Sequence, residues 1–404
     1  MLPHLAFTGF LGRRIHLGVT GSVAAYKMPD CMRHWQACGA PIGATLTAAA
    51  QRFITPLTFK ALGADPVYTG LFAADDAVFG HLDPGQTAKA FVIAPATANT
   101  LAKLAHGLAD DMLSTQALSF PGPLVIAPAM NPRLWQAAAT RANWSLLKDR
   151  GHVCLEPDCG SMACGEEGKG RLPRLEAIFL HALKQLCPQD MAARAVMVTL
   201  GPTREAFDPV RFWSNPSSGV MGASIAVAAW LRGATVHAVC GPVNLYLPDG
   251  VARHDVTTAQ QMYDACMDLW PNMDMGCCTA AVADFRPQPH GDSKFKKEGA
   301  AAGMTVPFLP NPDILAALGA AKSPRQRLIG FAAETDAVAQ RTRDKLQRKN
   351  GDLFVGNKVG VPGSGFQSPT NTVCIVDRTG REEQWSDMPK PEIAMRIWDW
   401  LLQL

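Results

Sequence analysis

The chain lacks the features of a membrane protein, a secreted protein or a strongly charged binding protein. No run among its 404 residues approaches the ~18 consecutive apolar residues that a membrane span requires. The N-terminus has no basic region followed by an apolar run and a small-residue cleavage site, so no secretory signal is expected. The formal net charge is only +3, which gives no reason to expect nucleic acid or a membrane surface as a partner. The sequence thus predicts a cytoplasmic protein.

Charged residues are also scarce, at 18% of the chain against 48% hydrophobic residues. This balance is typical of a chain that buries a large core. At roughly 150 residues per domain, the length predicts two or three domains. The 11 cysteines are expected to be reduced thiols, as is usual in the cytosol.

Strand-like and helix-like segments alternate along the first half of the chain. Short and almost wholly apolar segments are typical of strands that are covered on both faces of a sheet. Such alternation indicates a parallel sheet wound by helices. The sequence predicts strands at 15–21, 41–47, 91–96 and 123–129, and helices at 22–38, 98–107 and 131–150.

The same pattern begins again after Pro188, which ends a helix. We therefore place a boundary that gives domains 1–190 and 191–404, each a doubly wound, Rossmann-like α/β domain. The second domain is predicted to contain strands at 195–201, 235–242, 276–284, 328–335 and 352–358, and helices at 218–231, 258–269, from 311, 336–349 and 390–404.

Each domain opens with a strand, a glycine turn and a helix, in GVTGSVAAYK (18–27) and VTLGPTRE (198–205). Such turns can present backbone N–H groups to phosphate, although glycine often merely ends a strand. Neither turn is G-x-G-x-x-G, and no acidic residue follows the second strand at Leu46–Thr47, so a nicotinamide dinucleotide is disfavoured. A mononucleotide phosphate at Gly21–Ser22 fits better.

Longer motifs in the two halves resemble two enzyme families. The first half is similar to the flavin-dependent cysteine decarboxylases in GVTGSVAAYK, RFITPLT (52–58), GHLDPG (80–85), APATANTLAKLAHGLADD (94–111), PAMNPRLW (128–135) and GSMACGEEGKGR (160–171). The second half is similar to phosphopantothenate–cysteine ligase in GPTREAFDPVRFWSNPSSGVMG (201–222), AAVADFRP (280–287), KFKK (294–297), NPDI (311–314), GFAAET (330–335) and RKN (348–350). In this order, the motifs resemble the bacterial bifunctional phosphopantothenoylcysteine decarboxylase/phosphopantothenate–cysteine ligase family.

The resemblance implies a flavodoxin-like decarboxylase domain followed by a nucleotide-binding ligase domain. The ligase would activate 4′-phosphopantothenate with CTP and Mg²⁺ and join it to cysteine through an acyl-cytidylate. The decarboxylase would convert the product to 4′-phosphopantetheine with FMN, which accepts a hydride so that a thioaldehyde can lose CO₂. The resemblance also implies a homo-oligomer, with trimers of the first domain and dimers of the second.

For the decarboxylase, the resemblance implies that His81 is the base and that Cys164 returns a proton to the enethiol. It gives Asn131 the substrate carboxylate, although an asparagine that opens a helix is commonly an N-cap, and both roles can hold. An isolated histidine would otherwise be read as a surface residue. The implied flavin contacts are Gly21, Ser22, Thr47, Thr97 and Asn99.

For the ligase, the resemblance implies that Asn215 holds phosphopantothenate and its activated form, and that Lys294 contacts nucleotide and assists attack on the acyl-cytidylate. Lys345 and Lys349 lie four apart on one helix face, so both could reach one phosphate chain, or simply be solvated. Val220 stands where the family usually has lysine, and Pro216 follows Asn215, which makes ligase affinity the property most in doubt. The implied CTP-binding residues are Asp284, Lys294, Asn311, Pro312, Asp313, Ile314, Phe331, Lys345 and Lys349.

Two other interpretations are weaker. A flavin-binding regulatory protein or flavin prenyltransferase of the same fold would be favoured by loss of His81 or Cys164, and both residues are present. A zinc module is disfavoured because its candidate ligands do not form two closely spaced pairs. Those candidates are His152, Cys154, Cys159 and Cys164.

Overall fold

The chain folds into two compact units. The structure, a computed structural model, describes residues 2–72, 78–162, 165–296, 304–358 and 368–404. The N-terminal unit is Thr8–Pro188, and the C-terminal unit is Gln189–Leu404 together with Met1–Phe7. Residues 1–7 thus belong to the C-terminal unit, whereas the predicted division placed them in the first domain, 1–190. His4 is buried within the C-terminal unit, where its Nε2 lies 2.7 Å from the carbonyl oxygen of Tyr246.

A six-stranded sheet with parallel pairing throughout forms the centre of the N-terminal unit. Its strand order is β3-β2-β1-β4-β5-β6, so the winding direction reverses between β1 and β4. The strands are β1 (Arg14–Val19), β2 (Ile42–Leu46), β3 (Val67–Tyr68), β4 (Ala88–Ala96), β5 (Leu124–Pro128) and β6 (Val153–Cys154). The helices are α1 (Met28–Ala37), α2 (Pro56–Ala61), α3 (Asp83–Thr87), α4 (Ala98–His106), α5 (Met112–Ser119), α6 (Pro132–Gln136), α7 (Ala138–Asp149) and α8 (Leu175–Leu186).

Two of the predicted helices are interrupted. The helix predicted at 131–150 is α6 followed by α7, because Ala137 is extended at φ −55° and ψ 133°. The helix predicted at 22–38 is a 3₁₀ turn over Val23–Lys27 followed by α1. Pro29 lies in the first turn of α1, where its missing N–H costs no helical hydrogen bond.

A short antiparallel hairpin covers the loop that follows β5. Its strands are β7 (Asp158–Ser161) and β8 (Glu167–Arg171). Gly170, at φ +154°, accepts a hydrogen bond from the Met130 amide at 2.9 Å. A Cβ at position 170 would lie 2.4 Å from the Met130 carbonyl oxygen, so only glycine permits this approach.

The C-terminal unit contains an eight-stranded sheet in the order β13-β12-β9-β14-β17-β18-β19-β20. Its winding reverses between β9 and β14, and β19 and β20 pair antiparallel at one edge. The strands are β9 (Ala195–Leu200), β10 (Arg204–Ala206), β11 (Phe212–Ser214), β12 (Thr235–Cys240), β13 (Val251–Asp255), β14 (Met275–Cys278), β15 (Phe285–Pro287), β16 (Phe308–Pro310), β17 (Arg327–Glu334), β18 (Leu353–Lys358), β19 (Thr370–Asp377) and β20 (Glu382–Pro389). The helices are α9 (Val220–Leu231), α10 (Ala259–Leu269), α11 (Ile314–Ala321), α12 (Val338–Arg348) and α13 (Lys390–Leu401).

The mixed α/β class and the parallel winding agree with the prediction, whereas the antiparallel pair β19–β20 was not anticipated. The strand predicted at 276–284 ends at Cys278, and residues 279–284 leave the sheet to line a cavity. Among the described residues no helix is long and apolar enough to cross a bilayer. The cysteines in these ranges are free thiols.

Candidate functional site

A cavity of about 640 Å³ lies at the carboxyl ends of the C-terminal unit's strands, next to the point where the winding reverses. Such switch points are where ligands bind in open α/β sheets. Asn215 lines it, as do all but one of the residues predicted to bind nucleotide: Asp284, Asn311, Pro312, Asp313, Ile314, Phe331, Lys345 and Lys349.

The turn before α9 forms one wall of this cavity. Asn215 is fixed there because its Nδ2 donates to the carbonyl oxygens of Ala281 at 3.4 Å and Val282 at 3.1 Å. Gly219, at φ +73°, begins α9 and directs the first amides of that helix toward the cavity. A helix N-terminus favours anions, so this wall suits a phosphate even though Val220 supplies no cation.

Cationic side chains at the C-terminal end of α12 form another part of the cavity lining. Lys345 Nζ lies 2.6 Å from Glu334 Oε1, and Lys349 is paired with Asp313. Burial raises the pKa of Glu334, but hydrogen bonds from Lys345 and Arg341 outweigh it and leave the pKa below its usual value. Both lysines are therefore held in place by ionised carboxylates.

Asp313 has two structural contacts in addition to its position in the cavity. Its Oδ1 accepts the Ala316 amide at 3.0 Å and caps α11, while Oδ2 pairs with Lys349. Burial opposes ionisation, but the hydrogen bond from Lys349 is the largest of the effects that lower the pKa of Asp313. The neighbouring Asn311 is also fixed, since its Nδ2 donates to the Ala283 carbonyl oxygen at 2.8 Å.

Lys294 is not among the residues that line the cavity, and its side chain is exposed. Its loop is attached to the fold through Phe295, whose amide donates to Asp208 Oδ2 at 3.1 Å. Arg211 Nη1 also donates to the Phe295 carbonyl oxygen at 3.3 Å. Residues 297–303, which follow in the sequence, lie outside the described residues.

Lys390 lines the same cavity and was missed by the sequence analysis. It is the first residue of α13 and is only 2% exposed. Burial lowers its pKa to about 8. Asn357 and Asn371 line the cavity with it. The amphipathic pattern predicted α13, but it does not reveal that this lysine faces inward, because lysine is normally solvated.

The predicted flavin contacts cluster at the corresponding edge of the N-terminal unit. Thr20 joins the ends of β1 and β4, since its Oγ1 donates to the Pro95 carbonyl oxygen at 2.6 Å and accepts the Thr97 amide at 3.1 Å. Thr97 also caps α4. A Cβ at Gly21 would lie 2.5 Å from Ala49 Cβ, so glycine is what lets the β1 turn approach the loop after β2.

The remaining flavin contacts occupy the same edge. Ser22 caps the 3₁₀ turn after β1, where its side chain accepts the Ala24 amide. Thr47 Oγ1 accepts the Ala50 amide at 3.2 Å, and Asn99 is exposed in the first turn of α4. The helix starts and hydroxyl groups at this switch point fit a phosphate-bearing cofactor.

Asn131 caps α6 and contacts a carboxylate as well. Its Oδ1 accepts the Arg133 amide at 2.8 Å, and its Nδ2 donates to Glu166 Oε2 at 2.8 Å. Arg133 Nη2 lies 2.6 Å from the other oxygen of Glu166. The structure thus has the N-cap and shows that the amide can bind a carboxylate, here one from the β7–β8 hairpin.

His81 lies half-buried in the loop that precedes α3. Its ring centroid is 6.4 Å from that of Phe79. Cys164 lies outside the described residues. In the part of the chain that is described, no group of three or more His, Cys, Asp or Glu side chains could hold a metal ion. His152, a candidate zinc ligand, instead accepts the Leu124 amide through Nδ1 at 3.2 Å.

Comparison with known proteins gives one family match in each half of the chain. Residues 10–186 match the family described as Flavoprotein, and residues 191–404 match the DNA/pantothenate metabolism flavoprotein C-terminal domain. The chain is 42% identical to the coenzyme A biosynthesis bifunctional protein CoaBC of Escherichia coli K12, over 91% of this chain and 92% of that protein. Identity to the Bacillus subtilis protein of the same description is 40%, over 95% of each.

A solved structure of the C-terminal domain of a coenzyme A biosynthesis bifunctional protein CoaBC is 34% identical, with a TM-score of 0.45, over 53% of this chain and 97% of that one. The family matches place the two units in the flavoprotein class of α/β proteins. The identity to the curated relatives goes further: the chain belongs to the family of bifunctional coenzyme A biosynthesis proteins.

Lys349→Met is expected to weaken nucleotide binding. Removing a charge-assisted contact costs about 1.5–3 kcal/mol, so the KM for the nucleoside triphosphate should rise about ten- to a hundredfold. Arg343→Met is the matched control, because Arg343 lies on the same helix but pairs with Glu382 away from the cavity. Steady-state ligation kinetics measure the KM of both variants. A KM for Lys349→Met no higher than that of Arg343→Met would contradict the assignment of Lys349.

Lys390→Met separates a ligand-binding role from a structural one. We expect the KM for one anionic ligation substrate to rise about tenfold or more, because a charged hydrogen-bond partner is lost, while the melting temperature is retained. The control is Lys358→Met, at the exposed end of β18 and outside the cavity lining. A lower melting temperature with unchanged KM values would assign Lys390 to the fold alone.

Proposed function

We propose that this chain makes 4′-phosphopantothenoylcysteine from 4′-phosphopantothenate and cysteine in its C-terminal unit, and decarboxylates it to 4′-phosphopantetheine in its N-terminal unit. The observation that carries the proposal is the single cavity that gathers Asn215 with the implied nucleotide residues. These positions come from five separate sequence segments. Their convergence at a ligand-binding edge is expected of one site and not of unrelated surface residues.

Ligation requires activation of a carboxylate, since a carboxylate does not react with an amine directly. CTP supplies this activation: the carboxylate attacks the α-phosphorus, pyrophosphate leaves and an acyl-cytidylate forms. Lys345 and Lys349 bind the triphosphate and stabilise the charge that develops on pyrophosphate. The α9 N-terminus and Asn215 hold phosphopantothenate and its activated form, and Lys294 assists attack by the cysteine amine, after which CMP leaves.

Mg²⁺ enters this site with the triphosphate. No cluster of three or more acidic, His or Cys ligands exists in the described ranges, and Mg²⁺ commonly binds through phosphates, water and one or two carboxylates. Asp284 and Asp313 are exposed carboxylates on the cavity wall; because Asp313 already pairs with Lys349, we assign Asp284 to the ion.

FMN binds the switch-point edge of the N-terminal unit. Gly21, Ser22, Thr47, Thr97 and Asn99 hold it, and the close packing at Gly21 together with the caps at Ser22 and Thr97 supports this fit. When bound, FMN supplies a hydride acceptor for oxidation of the substrate thiol carbon.

Three residues of this unit act on the substrate. His81 takes the thiol proton, and Asn131 orients the carboxylate that leaves as CO₂, using the amide that here contacts Glu166. Cys164 Sγ then supplies the proton that, together with the hydride that the flavin would give back, converts the enethiol intermediate into the thiol product. The proton that His81 takes leaves before CO₂ is lost, and the proton from Cys164 is added after it.

The protein assembles as a homo-oligomer in the cytoplasm, with trimers of the N-terminal unit and dimers of the C-terminal unit. Large exposed side chains on each unit support self-association. They include Tyr26, Phe53 and Phe72 on the first unit, and Phe212, Trp213 and Phe285 on the second. We place His81 at the active site of a neighbouring subunit.

Two variants should abolish the two activities separately. His81→Asn should retain bound flavin and full ligation while losing decarboxylation, because only the base is removed. Lys294→Gln should retain decarboxylation of added phosphopantothenoylcysteine and release pyrophosphate, yet make little amide, because only amine attack is slowed. Product masses, pyrophosphate release and flavin absorbance measure these outcomes. Decarboxylation by His81→Asn, or normal amide formation by Lys294→Gln, would contradict the corresponding role.

A further inference from the structure

A chain of hydrogen bonds crosses the interior of the N-terminal unit and ends at the loop of His81. His16 Nε2 lies 2.8 Å from Thr45 Oγ1, and Thr45 Oγ1 lies 2.5 Å from Gln116 Oε1. Gln116 Nε2 donates to the carbonyl oxygen of Gly80 at 2.8 Å. His16, Thr45 and Gln116 are fully buried. Polar side chains in such a core are costly unless they are paired, so each link has a role.

The direction of every bond follows from the last one. A carbonyl oxygen can only accept, so the Gln116 amide nitrogen must face Gly80, which leaves its oxygen for Thr45. Thr45 therefore donates its one hydroxyl proton to Gln116 and must accept a hydrogen bond from His16. His16 therefore carries a proton on Nε2. Burial lowers its pKa to about 3, and its Nδ1 has no hydrogen-bond partner among the described residues, so the ring is neutral.

A second bond from the same helix reaches the adjacent peptide group. Ser119 Oγ lies 3.0 Å from the carbonyl oxygen of His81 itself and 3.0 Å from that of Gln116, so its one proton can be donated to the His81 peptide group. Gln116 and Ser119 both lie on α5, whose start is fixed by a capping box between Asp111 and Ser114. One rigid helix therefore holds two successive carbonyl groups of the His81 loop.

We propose that Gln116 and Ser119 are positioning residues for His81, and that His16 and Thr45 keep the Gln116 amide in its donating orientation. The inference rests on the proposed function, in which His81 is the base. Residues 78–82 lie in no helix or strand, and their backbone is held by one turn bond, from the Leu82 amide to the Phe79 carbonyl oxygen at 2.9 Å, and by these two side-chain bonds. A flipped Gln116 amide would set its oxygen against the Gly80 oxygen and release the loop.

The test compares Gln116→Met and Ser119→Ala with the parent enzyme in the full-length, flavin-loaded protein. Methionine keeps the length and apolar volume of the side chain but cannot donate. We expect the decarboxylase kcat to fall about ten- to a hundredfold, since a misplacement of about 1 Å can cost that much. The KM for phosphopantothenoylcysteine, the amount of bound flavin and the ligation rate should each stay within about twofold of the parent values.

Conservative and control variants separate positioning from folding. Ser119→Thr keeps the hydroxyl group and should keep kcat. Thr115→Val removes a hydroxyl group from the same helix, where it bonds to the backbone carbonyl oxygens of Ala109 and Asp111, which precede the helix. This variant should leave the decarboxylase kcat unchanged.

Two outcomes would overturn the inference, and a third would overturn the proposed function on which it rests. An unchanged kcat in both Gln116→Met and Ser119→Ala would show that the loop is held without them. A loss of kcat that is matched by lost flavin and a lower melting temperature, and that recurs in Ser119→Thr, would assign the chain to stability alone. Turnover by His81→Asn itself would instead remove the base from the proposed function, and is thereby distinguished from failure of this inference.

Discussion

Both sites depend on one geometric constraint: the carboxyl ends of parallel strands meet at one edge of a sheet. Where the winding reverses, neighbouring loops separate and leave a crevice lined by helix starts. The N-terminal unit reverses between β1 and β4, and the C-terminal unit between β9 and β14. Segments that are far apart in the chain therefore converge, which is why Asn215, Asp313 and Lys345 share one cavity.

Polar groups at both sites are held by protein groups that resemble parts of their ligands. Lys345 and Lys349 pair with carboxylates, and the Asn131 amide binds the carboxylate of Glu166. These pairs fix the side chains in positions suited to phosphate or carboxylate oxygens. A ligand then exchanges one anionic partner for another, so little side-chain ordering is left to accompany binding.

The sequence predicts the parallel cores because these follow from local patterns. The family resemblance supplies the implied nucleotide residues through contiguous motifs, and all of them except Lys294 line one cavity. The sequence misses features that depend on tertiary structure. Lys390 enters the cavity only because α13 follows the antiparallel strands β19 and β20, which were not predicted. The link between His16 and Gln116 joins positions 100 residues apart, and no periodicity marks either one as a buried partner. Lys294 shows a different case, since its motif is clear but its side chain is not among those that line the cavity, so its proposed role stays a prediction.

The central claim, that one chain both forms the amide and removes the carboxyl group, is tested most directly with cysteine labelled at its carboxyl carbon. Purified protein would be incubated with 4′-phosphopantothenate, labelled cysteine, CTP and Mg²⁺, and the products weighed by mass spectrometry. The account predicts CMP, pyrophosphate, labelled CO₂ and unlabelled 4′-phosphopantetheine. An amide product that retains the label, or no incorporation of cysteine, would contradict it.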